Sequence, residues 1–556
     1  MLRQLLIAAA LVLLAAPAAA AAVEPTLLMP GVTYDRRVEF TPHGPVVLDV
    51  VTAPRPDGSL YTLAPTLSNG AIVGTETLTA MQKALATTST TVGVNGDFFV
   101  PDPGKPTGIL MRGGILESAP ATARSSLGIA ADGTLSVARV AFDGTWRGTG
   151  PRRQLDLNAS PAKGHTTLYT SAWGPTTPLE RDVVVDVIPA LSPLAPNRVA
   201  TGVVSQVGTG GPTPIPPGGA VLVSRGNQGP HLTAEAPAGT TIEIRPTLTP
   251  NWSGMSSAIG GGPLLVSRGK AIFRARESFG DPVLNRRSAR AAIAQLPDGR
   301  ILLATVEGGT SAYSAGMTNY ELAVALARLG ARTAFGLGTG TSTAMAFDGA
   351  LLTRPTGGAE QPIADALLLS YNGVYAAPLQ STTLSPNGDG LDDTLTFAYK
   401  LVRPSQVTVS LAGPGNATVP LTQGTEPPGV HSLEWNGEGA AEGAWRLVVN
   451  AVDDTGRATT AERPFALNQT LAALQVARRD NGVTATFSLL HAAKVTVTLE
   501  KPNGVTLATM LSRKLEPGAQ TATWQGRVVG GYRVRVVATN AIGEATLLAP
   551  ITARRS

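Results

Sequence analysis

Two carboxylates stand where catalytic chemistry is readily built. Asp97 lies between Gly96 and the aromatics Phe98 and Phe99. That position suits a carboxylate at the rim of an apolar pocket, where burial tunes its proton affinity; it equally suits an Asp that stabilises a turn. Glu307 follows the apolar run 301–306 and precedes Gly308-Gly309, which puts a carboxylate at a strand tip beside pliable backbone. The segment 336–343, Gly-Leu-Gly-Thr-Gly-Thr-Ser-Thr, follows an apolar stretch, and its successive amides and hydroxyls can form an anion-binding nest. It lacks the Gly-Lys-Ser/Thr ending of a nucleotide-triphosphate loop, and no helix follows it, so it is a poor dinucleotide fingerprint. Farther on, Asn387, Asp389 and Asp392 set oxygen ligands as close together as Ca²⁺ loops require. The closing Glu of an EF-hand is absent, and a pair of Asx turns has the same composition. Ca²⁺ is the one cofactor the sequence suggests. The five histidines have no paired spacing, and neither H-E-x-x-H nor G-x-S-x-G occurs, which argues against zinc-hydrolase and serine-triad chemistry.

The elements that position these groups are mostly strands. Short apolar runs such as 46–51 and 301–306, bounded by Gly, Pro or charge, have strand character. Two helices are expected. One covers about 76–86 behind Thr75; the other starts at Thr318, with Glu321 completing a capping box, Leu322, Leu326 and Leu329 on one face, and Gly330 as the left-handed stop. This mixture predicts an α+β domain over residues 23–376. Beyond it helical periodicity disappears and a repeat begins: Phe397 and Phe487, Val407 and Val495, Trp435 and Trp524, and Gly437 and Gly526 recur at an offset of about 88 residues. Each copy alternates β-branched residues between turn signals, which predicts two all-β immunoglobulin-like sandwiches, 377–468 and 469–556.

A chain of 556 residues must divide into several cores. The basic, apolar and Ala-rich order of residues 1–22 reads as a secretory signal peptide, which predicts a secreted or envelope-associated protein of bacterial type with no transmembrane segment after cleavage. Cysteine is absent, so thiol chemistry and disulfides are excluded. The net charge of +5 is thinly spread and no aromatic-interleaved basic stripe exists, so nucleic acid is not an expected partner.

Four islands resemble the phosphodiester glycosidase family: Asn95-Gly96-Asp97-Phe98-Phe99 with Pro106-Thr107-Gly108; Gly260-Gly261-Gly262-Pro263 with Gly269; Ser288-Ala289-Arg290-Ala291-Ala292; and Val306-Glu307-Gly308 through Gly340-Thr341-Ser342-Thr343. The repeats resemble the immunoglobulin-like modules of flagellar-hook-assembly proteins at Trp435-Asn436-Gly437 and Trp524-Gln525-Gly526. The first resemblance implies hydrolysis of a sugar 1-phosphodiester bond in envelope or extracellular glycans. It makes Asp97 and Glu307 the catalytic carboxyls, Arg290 the phosphate fork, Asn95 an orienting amide, and Gly340, Ser342 and Thr343 part of the substrate cradle. The sequence departs from the family at Gly338, where its D-x-G-G-S motif has Asp, at Glu307, where Asp is commoner, and at Gln361, where Arg is usual. Loss of that Asp leaves a second reading, a catalytically degenerate glycan-binding or structural envelope protein, and a third in which the two modules alone act as adhesive elements.

Overall fold

Alternating and continuous apolar runs, with few long helical stretches between them, dictate the architecture. The computed structural model describes residues 25–160, 162–273, 276–310, 312–528 and 531–551; the expected leader, 1–22, lies outside them. Strand accounts for 51% of the described residues and helix for 8%, so the first domain is nearly all β and the α+β expectation is corrected. The physical reason is how sheet faces are covered: most bury their apolar side against another sheet, which leaves little surface for helices to cover.

An eight-stranded antiparallel sheet runs in the order Thr26–Met29, Val32–Thr41, Gly44–Ala53, Ile301–Val306, Arg290–Gln295, Thr333–Thr339, Leu264–Ser267, Lys270–Ala271. One face, with Val51, Ile293, Leu303 and Phe335, packs on a five-stranded sheet through Val92, Val94, Leu367 and Leu369. That second sheet is ordered Ala350–Leu351, Met345–Phe347, Thr90–Asn95, Asp365–Tyr371, Tyr61–Leu67. The opposite face, with Val50, Ala292, Leu302 and Ala334, is covered by a helix through Leu322 and Leu326.

Four α-helices occur among the described residues: α1 (Leu78–Ala84), α2 (Gly229–Glu235), α3 (Asp281–Leu284) and α4 (Asn319–Arg328). α4 has the expected capping box between Thr318 and Glu321, and Gly330 beyond it has φ +90°. α1 is capped by Thr77 instead of Thr75. α2 and α3, which each carry Pro in the first turn, are too short to leave a periodic signature.

Between the islands at Gly108 and Gly260, three further sheets enclose a core that includes Trp146, Leu222 and Trp252. At the C-terminal end, one pair of sheets packs around Phe397, Trp445 and Phe465, and another around Phe487, Val495 and Val536. The first pair is joined to the large domain by Lys400, which is 4% exposed and donates to Asp348 (2.6 Å) and the Ser89 carbonyl (3.2 Å).

Candidate functional site

Antiparallel register gathers chemistry-bearing residues at one end of the eight-stranded sheet and also separates them. Arg290 pairs with Val306 on one side and Thr339 on the other. Because successive side chains of a strand point to opposite faces, Arg290 shares a face with Val306 and is turned away from Glu307. Arg290 lies under the start of α4. It is fully buried, and its guanidinium donates to the carbonyls of Met317 (2.9 Å), Val283 (2.5 Å) and Arg286 (2.5 Å). Burial lowers its pKa to about 10. These bonds tie α3 and the entry to α4 together behind a cavity of about 510 Å³ lined by Phe273, Leu284, Asn285, Thr318, Tyr320 and Glu321, among others. The expected phosphate fork is thus committed to backbone and acts as a brace.

Glu307 faces the second sheet, in a cluster that sequence did not reveal. Its Oε1 accepts from Arg36 and from the Arg354 amide (2.8 Å). Asp49, from the neighbouring strand Gly44–Ala53, accepts at Oδ1 from Arg36 Nε (3.0 Å) and the Tyr34 hydroxyl (2.6 Å). Both carboxylates bind one guanidinium, Asp49 at Arg36 Nε and Glu307 at Arg36 Nη2, which brings the two acids close together. Burial raises Asp49 to about 7; Tyr34 and Arg36 pull it down, and Glu307 pushes it up. Asp49 Oδ2, Glu307 Oε2 and the hydroxyl of Thr305, the residue paired with Asp49, are buried without a hydrogen-bond partner among the described residues. Tyr313 stands beside Glu307, and the Arg354 guanidinium lies 4.7 Å from the Tyr313 ring centroid. Asp49 and Glu307 are 0% and 3% exposed, whereas the Arg36 side chain is 40% exposed and forms the outer wall.

Asp97 occupies a separate pocket at the tip of Thr90–Asn95. Its carboxylate accepts from the amides of Phe98 (2.7 Å) and Gly108 (2.6 Å) and from the Thr107 hydroxyl (3.3 Å). Burial raises its pKa to about 6, while these bonds and the nearby Arg124 oppose the rise. Its partner, which spacing did not reveal, is Asp365, whose Oδ1 accepts from the Asp97 amide (2.8 Å) and whose Oδ2 has no partner among the described residues. Burial, with Asp97 beside it, drives Asp365 well above the usual carboxylate range. Glycine makes this approach feasible: a Cβ on Gly260 would lie 2.3 Å from Asp97 Oδ2, and one on Gly96 would lie 2.5 Å from Asp365 Oδ1.

Asn95 is 1% exposed and joins this pocket to the glycine-rich turn, donating to Gly338 O (2.9 Å) and accepting from the Ala344 amide (3.2 Å). Within that turn the amide of Gly340 donates to Ala289 O and the amide of Thr343 to Gly340 O, so those two N–H groups are not available to form a nest. Ser342 is half-buried, and the Thr343 hydroxyl is buried without a partner among the described residues.

In the loop expected to hold Ca²⁺ the polar side chains bond within the protein. Asp389 accepts from the amides of Leu391 (2.8 Å) and Leu548 (2.6 Å), and Asn387 donates to Thr546 O (2.7 Å). Asp393 accepts from the amides of Asn387, Gly388 and Gly390. Asp392 closes the turn with φ +53°, and its carbonyl accepts from Ser385. Among the described residues no three acidic or histidine side chains converge as a metal set. These bonds form Asx turns and a clasp onto the strand Glu544–Pro550.

Of the missed residues, Asp49 and Asp365 had a signal, a lone acid within or beside a wholly apolar strand, which marks a buried charge in need of partners. Arg36 had none.

Residues 196–370 match the model of the phosphodiester glycosidase family. No curated protein matches the chain. Among solved structures, a hypothetical protein from Synechocystis is 26% identical with a TM-score of 0.51, over 62% of this chain and 62% of that one. The chain therefore spans less than two thirds of that relative. The catalytic domain of zebrafish N-acetylglucosamine-1-phosphodiester alpha-N-acetylglucosaminidase, auto-inhibited by its pro-peptide, is 13% identical with a TM-score of 0.35, over 64% of this chain and 86% of that one. No helix among the described residues is long and apolar enough to cross a membrane.

Proposed function

We propose that this protein is a secreted hydrolase of sugar 1-phosphodiester bonds in envelope or extracellular glycans. The observation that carries the reading is the family match over residues 196–370, a span that contains Glu307 and the 336–343 turn. Glu307 supports it physically, as a buried carboxylate with one oxygen unpartnered among the described residues, beside the partly exposed Arg36. Asp97, with a pKa of about 6, is the second carboxyl of the reading. Arg290 contributes by bracing the strand end and the entry to α4.

A second reading, a glycan-binding or structural protein of the same fold, is favoured by the commitment of Asp97 and Asn95 to internal hydrogen bonds and by the glycine at 338. Hydrolysis of an N-acetylglucosamine 1-phosphate alkyl diester by the purified protein separates the two. Under the first reading Glu307→Gln loses about 10²–10⁴ of the rate. Absence of turnover by the unmodified protein on a panel of sugar 1-phosphodiesters supports the second.

A further inference from the structure

The cluster around Asp49 carries more than one catalytic carboxylate. Three buried oxygens without partners among the described residues, on Asp49, Thr305 and Glu307, belong to one strand pair. Buried polar atoms are nearly always satisfied, so three such oxygens side by side make this a polar spot within an otherwise apolar sheet. Two acids held on one guanidinium repel each other when both are ionised, and a proton on Asp49 relieves that repulsion. Among the described residues, the cation that bridges Asp49 and Glu307 and closes the cluster toward solvent is Arg36, from the strand Val32–Thr41.

We propose that Asp49 and Glu307 are a proton-linked acid–base pair and that Arg36 is the cation that receives the substrate's phosphate, leaving the pair when it does so. The proposal rests on the phosphodiester reading above for its reaction. In that reaction the oxygen of a water bonds to the anomeric carbon while the bond from that carbon to the phosphate oxygen breaks. The electron pair leaves with the phosphate. One water proton passes to Glu307 and the other remains on the sugar hydroxyl. Asp49, which here takes the acid's part that the reading above gives to Asp97, donates its proton to the departing phosphate monoester, and the proton on Glu307 passes to Asp49, so the pair is restored. Arg36 can turn its planar fork to two phosphate oxygens. The groups facing the pair are Tyr34, Arg36, Tyr313 and Arg354, together with the Thr305 hydroxyl. When Arg36 turns outward, Asp49 loses its closest positive charge and holds its proton more tightly.

N-acetylglucosamine 1-phosphate is the probe, titrated calorimetrically into the full chain near neutral pH in two buffers of different ionisation heat. The unmodified protein takes up protons on binding. Arg36→Ala weakens binding by about 10- to 100-fold and abolishes the uptake. Arg36→Lys, which keeps the charge, binds at an intermediate level and guards against a folding artefact. Asp49→Asn keeps the Tyr34 contact and still binds but takes up no proton. Absence of binding by the unmodified protein, binding indifferent to Arg36→Ala, or uptake unchanged in Asp49→Asn overturns the proposal. If binding and uptake behave as stated while no sugar 1-phosphodiester is turned over, the pair stands and the substrate reading falls. If diesters are turned over equally by the Asp49→Asn and Arg36→Ala variants, the substrate reading stands and the pair falls.

Discussion

Restoring the family's aspartate by Gly338→Asp should damage this protein instead of completing its site. A Cβ at 338 would stand 3.0 Å from Asn95 Nδ2, 3.0 Å from Asp97 O and 3.2 Å from Gly96 O, tighter than ordinary contact on three sides. Overpacking of this kind costs about 1–3 kcal/mol. The new carboxyl would also face two carbonyl oxygens, and of the three atoms nearest its Cβ only Asn95 Nδ2 is a donor, with one of its two hydrogens already given to Gly338 O. Even with that one donor, the second carboxylate oxygen stays unsatisfied, which costs about another 1–3 kcal/mol. Beside it lies the Asp97–Asp365 pair, both members already raised by burial. The expected loss is therefore about 2–6 kcal/mol, largest near neutral pH and smaller below about pH 6, where the acids are neutralised by protons. Hydrogen exchange of the strands Thr90–Asn95 and Thr333–Thr339, followed against denaturant, reads this loss locally, which matters because a chain with several cores does not unfold in one step. Adding Asp365→Asn, which keeps the acceptor for the Asp97 amide, should recover about 0.5–3 kcal/mol of it. A Gly338→Asp variant as protected as the parent, with no gain from Asp365→Asn, would refute the claim that the carboxylates at 97 and 365 leave no room for one at 338.

Asp186 is fully buried with neither carboxylate oxygen partnered among the described residues, and burial raises its pKa to about 7. Its folded-state value lies above the unfolded one, so its contribution to stability falls as pH rises from about 4 to 7 and the penalty is complete above that; Asp186→Leu should slow hydrogen exchange in Val183–Ile188 more at pH 8 than at pH 5. Arg290→Met should expose the 283–286 and 317–319 backbone to exchange without a selective loss of phosphate affinity, because its three bonds go to carbonyl oxygens. Asp389→Ala should loosen the contact with the strand Glu544–Pro550, seen as faster exchange at Leu548, and addition of Ca²⁺ should not raise the melting temperature of the unmodified protein.

The sequence was most informative where a local rule suffices. The capping box of Thr318 and Glu321 and the glycine stop after α4 need only neighbours within a few residues, and the structure has both. The strand 301–306 is found at those residues because a continuous apolar run between a charge and a glycine pair has few other uses. The α+β expectation erred because convincing local helices say nothing about how much sheet surface other sheets will cover. The candidate site was legible only in part: Glu307 and Asp97 were visible as carboxylates at strand tips, but not their partners Asp49 and Asp365, which lie hundreds of residues away in sequence from them.

By itself, then, the amino-acid order determined the strand-rich character, the cap and stop of α4, the repeated aromatic cores and the positions of acids at element ends. Tertiary structure decided which of those groups can act together. Register places Arg290 beside Val306, and the pleat then turns it away from Glu307. The crossing of strands from both ends of the first domain brings Arg36 and Asp49 onto Glu307. Neither relation is encoded in spacing, because a one-residue change of register would exchange every inward side chain for an outward one.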